Sequence, residues 1–434
     1  MKKLIPQKLK NYYHFLQAVV ANFWYGFPSK KIKVIGVTGT NGKTTTVQMI
    51  ARILEEAGFR VAVASTINFK LNGKEKVNKT KFTTLSAFAV QKFILDAVLG
   101  QHDFVVLETS SHSLDQCRVW GVKYDTAVIT NVTREHLDYH KTMEQYRKAK
   151  KILFKKAENI VVNLDMEKPE YYLSADVEKK YGYSVNNQES RIKNQELRIK
   201  NQDDYSTVKA ENAKLSINSS QFSVLNSQFL LNLPGMFNIE NALAAICVGM
   251  IYDIKEDIIA RALEKINGIP GRMESVSNDR GLNIIIDYAV TPDSLEKLYG
   301  LIREFRNIEG GKIIAVFGSC GERDRGKRPI MGEIVSRTAD YVIITNEDPY
   351  GEDPSQIMNE LESGIKNHKL DKTYFKIIDR QEAIKKALQI AKPGDFVIVT
   401  GKGAEETMAV SATERIPWND KNVIQEVLRE LLSK

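Results

Sequence analysis

The chain has 434 residues, 43% hydrophobic and 27% charged, which is room for two or three domains of an ordinary soluble protein. The net charge of +8 comes from lysines spread along the chain, which argues against nucleic acid and suits a polyanionic substrate. Cys117, Cys247 and Cys320 are too far apart for a disulfide framework or metal-type spacing, and no apolar run nears the ~20 residues that span a membrane, so a cytoplasmic protein is expected, not an integral membrane one.

Residues 9 to 26, LKNYYHFLQAVVANFWYG, predict an aromatic amphipathic helix. A segment this short needs extra basic charge to hold a bilayer, so it is expected to dock on the first domain. Pro28 and Ser29 end it.

The stretch from Val34 to Gly58 then reads as strand, tight glycine loop and helix. Val34, Ile35 and Val37 form a short apolar run; Val47, Ile50, Ile53, Leu54 and Ala57 fall on one helical face. Between them lie Gly39, Thr40, Asn41, Gly42, Lys43, Thr44 and Thr45. Backbone N–H groups at a helix start attract phosphate oxygens, Lys43 can reach terminal phosphates, and the Thr44 hydroxyl can hold Mg²⁺. The spacing is a P-loop variant, because Val37 occupies the place of the first standard glycine. A glycine turn with a chance Gly-Lys-Thr is the plain alternative, but strand, loop, lysine, hydroxyl and helix follow in the order the chemistry needs.

Further along, Leu71 to Lys74 (LNGK) predicts a hairpin turn. Asp103 to Leu107 is a buried strand ending on Glu108, a carboxylate well placed to hold a nucleotide's Mg²⁺. The strand Thr126 to Thr130 runs into a loop carrying His136. Residues 187 to 202 hold a seven-residue repeat with one reliable apolar position, too few for a coiled coil, and read as a polar surface insertion. Asn238 and Asn241 lie one helical turn apart and can face one ligand. Beyond Gly268 the pattern becomes regular strand–helix alternation, with polar residues where each strand ends. That is where open α/β sheets bind ligands. The expected fold is α/β throughout: a helical segment 1–33, a P-loop ATPase domain 34–267, and a Rossmann-like α/β domain 268–434.

The motifs GVTGTNGKTTT, ETSSHSLDQCRV, NVTREHLDYH, MEQYRKAKKILF, PGMFNIENALAA, GIPGRME, DYAVTPDSL, FGSCGERDRGKRP and GKGAEE stand in the order seen in Mur ligases, the ATP-dependent ligases of peptidoglycan synthesis. The sequence resembles the MurE type, which adds the third residue of the stem peptide. Folylpolyglutamate synthetases share the P-loop type, but SSHSLDQCRV is similar to MurE enzymes in particular. The resemblance implies ATP and Mg²⁺, with Thr44, Glu108, His136 and a carbamylated Lys150 around the metal. It implies Asn238 and Asn241 near adenine, Arg272 at phosphate and Asp324 at ribose. It implies that Thr83, Thr84, Ser110, His112 and Arg118 face the muramyl-peptide acceptor, and that Asp348, Tyr350 and Glu405 face the incoming amino acid. Lys43, Lys150 and Arg272 would carry catalysis, through an acyl phosphate made from the acceptor carboxylate and ATP. A monomer with small-molecule substrates is expected.

Three departures from the family pattern stand out. About 33 residues precede the P-loop strand, too few for the N-terminal domain that binds uridine diphosphate in MurE enzymes, so a different carboxylate acceptor is one alternative and a non-catalytic ATP-binding scaffold another. Val290 and Ala404 replace family histidines. In diaminopimelate-adding enzymes the family's Asp-Asn-Pro-Arg places an arginine on the distal carboxylate; here the run is Glu347-Asp348-Pro349-Tyr350. Tyrosine lacks the bidentate cationic fork, and two acids would repel a second carboxylate, so lysine or ornithine is expected. Arg323, Arg325 and Arg328 lie on a neighbouring loop that the family pattern gives to ATP and packing.

Overall fold

A computed structural model describes residues 6–80, 82–186 and 205–432. The repeat expected as a polar insertion at 187–202 lies outside the described residues. The chain divides into two compact units, Met1–Thr133 with His140–Asn267, and Arg134–Tyr139 with Gly268–Lys434.

The first unit is built on a nine-stranded sheet. Its order is Lys74–Val77, Asn68–Leu71, Val61–Ala64, Phe104–Glu108, Lys33–Thr38, Tyr124–Ile129, Ala157–Asn163, Lys179–Ser184, Ser206–Lys209. Seven of these strands run parallel, and the first two in that order form an antiparallel hairpin. The hairpin turns at Asn72 and Gly73, both left-handed, as the Leu-Asn-Gly-Lys signal requires. Val34, Ile35 and Val37 are buried on both faces, which is why the central strand reads as an unbroken apolar run and not an alternating one. Register sets Val37 beside Glu108 on one neighbour and Val128 on the other, so the loops after these strands leave the same edge.

The helices Lys43–Glu56 and Met236–Ile251 pack together beside this sheet. The second is apolar almost all round and accordingly buried. Gln7–Tyr25 is the expected N-terminal helix, and it packs on the helix Ala87–Leu99.

The second unit has six strands in the order Glu274–Val276, Asn283–Asp287, Phe396–Thr400, Ile313–Phe317, Tyr341–Ile344, Tyr374–Lys376. All pairings are parallel except the first. Under its core, Arg380 is fully buried and forks onto Asp420, with Nε at 2.9 Å from Oδ1 and Nη2 at 2.7 Å from Oδ2, while Nη2 also reaches the Thr400 carbonyl. Removing one partner of such a pair strands a buried charge. Arg380→Met is expected to cost about 3–5 kcal/mol, measured by urea unfolding; a change within error of zero would show that Asp420 is satisfied elsewhere.

Candidate active site

The P-loop is held by contacts on three sides. Gly39 and Gly42 both take positive φ, 154° and 81°. A Cβ at Gly39 would meet Thr130 Oγ1 at 1.9 Å, and one at Gly42 would meet Asn241 Oδ1 at 2.2 Å, so only glycine fits either place. Thr130 Oγ1 donates to the Asn41 carbonyl at 2.5 Å, and Asn131 clasps Asn41 through both its amide atoms. Thr40 Oγ1 lies 3.1 Å from the Tyr146 hydroxyl and accepts from the Thr133 N–H.

Two lysines converge on the loop's carbonyls. Lys43 Nζ donates to Thr40 O at 2.8 Å, and Lys150 Nζ donates to Gly39 O at 2.7 Å. Lys150 comes from the helix Met143–Phe154, which presents Tyr146, Ala149 and Lys150 inward. Burial first, and the nearby Lys43 charge second, drive the Lys150 amine well below the ordinary lysine range. Its amine lies over the Tyr146 ring, 4.4 Å from the centroid.

Glu108 ends its strand as the sequence predicts and is buried. Thr44 Oγ1 donates to its Oε2 at 3.0 Å. Thr66 fixes both carboxylate oxygens, through its N–H at 2.7 Å and its hydroxyl at 2.8 Å. Thr66 escaped the sequence reading. The only signal for it is a hydroxyl residue just past the strand Val61–Ala64, which pairs beside the Glu108 strand. Asn241 accepts from Thr46 Oγ1 and donates to Asn238, and Asn238 donates to the Pro234 carbonyl, so these two asparagines sit against the loop and helix start.

A second cluster adjoins Glu108. Thr84 Oγ1 donates to the Glu108 carbonyl at 3.0 Å and accepts from Ser110 N–H at 2.9 Å. Arg118 Nη1 donates to the Thr84 carbonyl at 2.6 Å. Ser110 caps a short helix that carries His112, whose ring lies 5.4 Å from that of His140. Thr83 is half-buried beside Thr84. His140, bonded to Ser111 Oγ at 3.0 Å, belongs to this cluster and was not singled out from sequence.

His136 lies in the Arg134–Tyr139 segment, which groups with the second unit, so it is not gathered with Glu108 inside one unit. It is left-handed, with φ of 58°. In that same unit Lys327 Nζ reaches Glu135 Oε1 at 3.1 Å, both buried. Asp324, half-buried, accepts from the Gly326 N–H. The Arg272 guanidinium stacks over the Tyr288 ring at 4.5 Å. Gly271 approaches so closely that a Cβ there would strike Ala404 N at 2.2 Å, which brings the GIPGR and GKGAE loops together.

The acids expected to repel a second carboxylate have specific neighbours that moderate their charge. Asp348 accepts from Lys402 Nζ at 2.9 Å and from the Ala409 N–H at 2.5 Å. Burial works against the Lys402 charge, but Glu405 and Asp348 outweigh it and hold the ammonium above the ordinary range. Burial also pushes Glu347 up to about 7, against the pull of Arg380, so much of its charge is suppressed near neutrality. Glu405 pairs with Lys402 and accepts from the Tyr288 hydroxyl. Burial raises the Tyr350 hydroxyl to about 12, with Asp348 adding to it and the Arg323 guanidinium opposing it. Arg323 therefore lies within electrostatic reach of Tyr350. Arg328 does not: it is buried and held by Glu352 and Glu360. Arg325 is likewise engaged with Glu360.

Two known domains match this chain, the Mur ligase middle domain over residues 37–249 and the Mur ligase glutamate ligase domain over residues 271–403. The UDP-N-acetylmuramoyl-L-alanyl-D-glutamate–2,6-diaminopimelate ligase of Clostridium tetani is 38% identical over 420 residues, covering 95% of this chain and 81% of the relative. The chain belongs to the Mur ligase family. The ligase of the same name from Bacillus cereus is 35% identical, with 97% and 82% covered. A solved structure of a UDP-N-acetylmuramoyl-L-alanyl-D-glutamate–2,6-diaminopimelate ligase superposes with a TM-score of 0.60 at 30% identity, covering 92% of this chain and 79% of that one. Mycobacterium tuberculosis folylpolyglutamate synthase, solved with ADP and AMPPCP, shares the fold at a TM-score of 0.69 and 15% identity, with 97% and 95% covered. The family consists of ATP-dependent ligases. Lys43→Ala removes the cation nearest the loop and is expected to lower ATP turnover by at least ~100-fold, read as phosphate release; a near-parent rate would remove Lys43 from the site.

Proposed function

We propose that this Mur ligase joins the third stem-peptide residue to the carboxylate of UDP-N-acetylmuramoyl-dipeptide, using ATP, in peptidoglycan synthesis. The observation that carries the reading is the convergence of Lys43, Thr44, Glu108 and Lys150 on one glycine loop. The acceptor carboxylate attacks the γ-phosphorus of ATP, the bond to the β-phosphate oxygen breaks, and ADP leaves. The amino acid's amine then attacks the acyl phosphate carbon, forming the amide as phosphate departs. Phosphoryl transfer needs positioning and charge neutralisation more than covalent help, and Lys43 and the loop N–H groups supply both. The Thr84, Ser110 and Arg118 cluster beside Glu108 is the acceptor side in this reading. Phosphate release that requires ATP, acceptor and amino acid together tests the proposal; a chain that turns over ATP only with a different carboxylate overturns the acceptor.

The oxygen donors also fit Mg²⁺. Thr44 and Glu108 offer a hydroxyl and a carboxylate oxygen 3.0 Å apart, and among the described residues no three His, Cys, Asp or Glu side chains gather. A sparse set of this kind suits an ion that keeps waters and takes its remaining oxygens from phosphate. Bound there, Mg²⁺ would neutralise phosphate charge. Lys150 would join the set as a carbamate: burial disfavours its ammonium, and the neutral amine is the form that adds carbon dioxide. Lys150→Ala is expected to be nearly inactive and to regain part of its activity with added acetate or formate; full activity without them would take Lys150 out of the site.

The amino acid we assign is diaminopimelate, the residue named in the similar enzymes, with Arg323 in place of the family arginine. Asp348 is paired with Lys402, and burial pushes Glu347 up to about 7, so together they oppose a second carboxylate less than two free acids would. Tyr350 favours a second reading, a diamino acid with one carboxylate. Incorporation of diaminopimelate, lysine and ornithine with the same acceptor decides between them. A diaminopimelate preference of at least tenfold in kcat/KM, about 1.4 kcal/mol, is expected, falling in Arg323→Ala. A clear preference for lysine or ornithine would sink the assignment.

A further inference from the structure

The N-terminal helix Gln7–Tyr25 docks by the face that its composition does not suggest. Its inward side is small and polar: Ala18, Ala21 and Asn22 are fully buried. Asn22 Nδ2 donates to the Trp120 carbonyl at 2.7 Å, Asn11 Nδ2 donates to Asp115 Oδ2 at 2.9 Å, and a Cβ at Gly121 would collide with Asn22. At 100° per residue the opposite face, about 120° wide, holds Leu9, Tyr12, Tyr13, Leu16, Val20, Phe23 and Trp24 with no charged residue among them. These seven are between 45% (Leu16) and 77% (Trp24) exposed. Four aromatic rings of ~150–250 Å² each, more than half open, with three aliphatic side chains beside them, exceed the few hundred Å² that a soluble monomer ordinarily leaves contiguous.

The charge around this face has one sign. Residues 1–33 contain seven lysines and no carboxylate, and the first acidic side chain of the chain is Glu55. Lys8 and Lys10 flank the apolar face on its two sides, and Lys30 and Lys31 are exposed just past its end. Lys30 Nζ sits over the Phe27 ring, which packs edge-to-face on Phe23, so base and aromatic surface are continuous. A two-fold contact with a second copy would oppose these lysines to their own images. An anionic bilayer answers both features, taking tryptophan, tyrosine and leucine at the headgroup boundary while lysines meet lipid phosphates. No helix among the described residues is long and apolar enough to cross a membrane, so the contact lies along the surface.

We infer that the exposed face of Gln7–Tyr25 is a docking surface for an anionic lipid bilayer, holding the ligase as a peripheral protein. The helix leans on Ala87–Leu99 and on the segment around Asp115 and Trp120, which flank the Thr84, Ser110 and Arg118 cluster. A bilayer bound there would lie beside that cluster.

The test is co-sedimentation of the full-length protein with vesicles of phosphatidylglycerol and phosphatidylcholine, and with vesicles of phosphatidylcholine alone. Wild type should sediment with the anionic vesicles and be released by salt. Combined Leu16→Ser, Phe23→Ser and Trp24→Ser should weaken partitioning by at least about tenfold while circular dichroism and phosphate release stay unchanged. Lys30→Glu with Lys31→Glu should weaken it as well, and Trp24→Phe should bind but lose the blue shift of tryptophan emission. Wild type left in the supernatant at every salt concentration, or a triple serine variant that binds like wild type, overturns the proposal. So does a dimer by light scattering that the serine variant converts to monomer, which would give the face to a second copy.

Discussion

The amine of Lys150 is the constraint on which the glycine loop of this molecule turns. It is buried, it donates to the Gly39 carbonyl, and Lys43 stands close enough to disfavour its charge. Moving an ammonium out of water costs several kcal/mol without a counter-ion, so burial and the nearby Lys43 charge both disfavour the charged amine. The loop has to close over it: Gly39 and Gly42 are glycine because Thr130 and Asn241 occupy the space of a side chain. Tyr146, Thr40 and Thr133 then fix the loop's flank. One buried amine and two missing Cβ atoms thus tie together three separate pieces of chain, the P-loop, the helix Met143–Phe154 and the helix Met236–Ile251.

Glu108 shows how the same edge of the sheet serves two tasks. Its carboxylate faces the P-loop through Thr44, while its backbone carbonyl accepts from Thr84 on the other cluster. Parallel register is what allows this, because adjacent strands deliver their ends at one level. A shift of the Glu108 side chain is resisted by Thr66 on both oxygens, a rigidity that loose surface carboxylates lack.

What the sequence made legible was local. Strand, loop, Lys43, Thr44 and helix lie within one short stretch, and the hairpin at Asn72 and Gly73 is a two-residue signal. Thr66 was not legible, because its role depends on strand order across a separation of 42 positions. Nor was the state of Glu347 and Asp348: the sequence counts two charges, while burial pushes Glu347 up to about 7 and a lysine 54 residues onward pairs with Asp348. The N-terminal helix was read as amphipathic and expected to dock, and it does, but periodicity cannot say which face turns inward. Here Asn22 and two alanines find partners inside, and the aromatic side is left to the solvent boundary.

In the second unit, backbone strain recurs on the edge of the sheet that carries the candidate residues, apart from Asn367 and Asp371 before the strand Tyr374–Lys376. Met273, Glu322, Asp348 and Tyr350 all take positive φ, between 44° and 54°. Each such residue without glycine's freedom costs on the order of 1 kcal/mol or more, and it persists only where its surroundings over-determine it. The surroundings here are specific. Met273 N–H is held by Asp287, a carboxyl that burial raises and Arg272 opposes. Asp348 is held by Lys402 and Ala409, and Glu322 N–H is held by Glu352. The strands themselves need none of this, since their apolar runs would pack with relaxed loops. Where Arg272, Tyr350 and Glu405 lie, the strained residues stand next to strand ends, so the polar pairs there do more than satisfy buried charge. They hold the loop backbone in conformations that set where those side chains point.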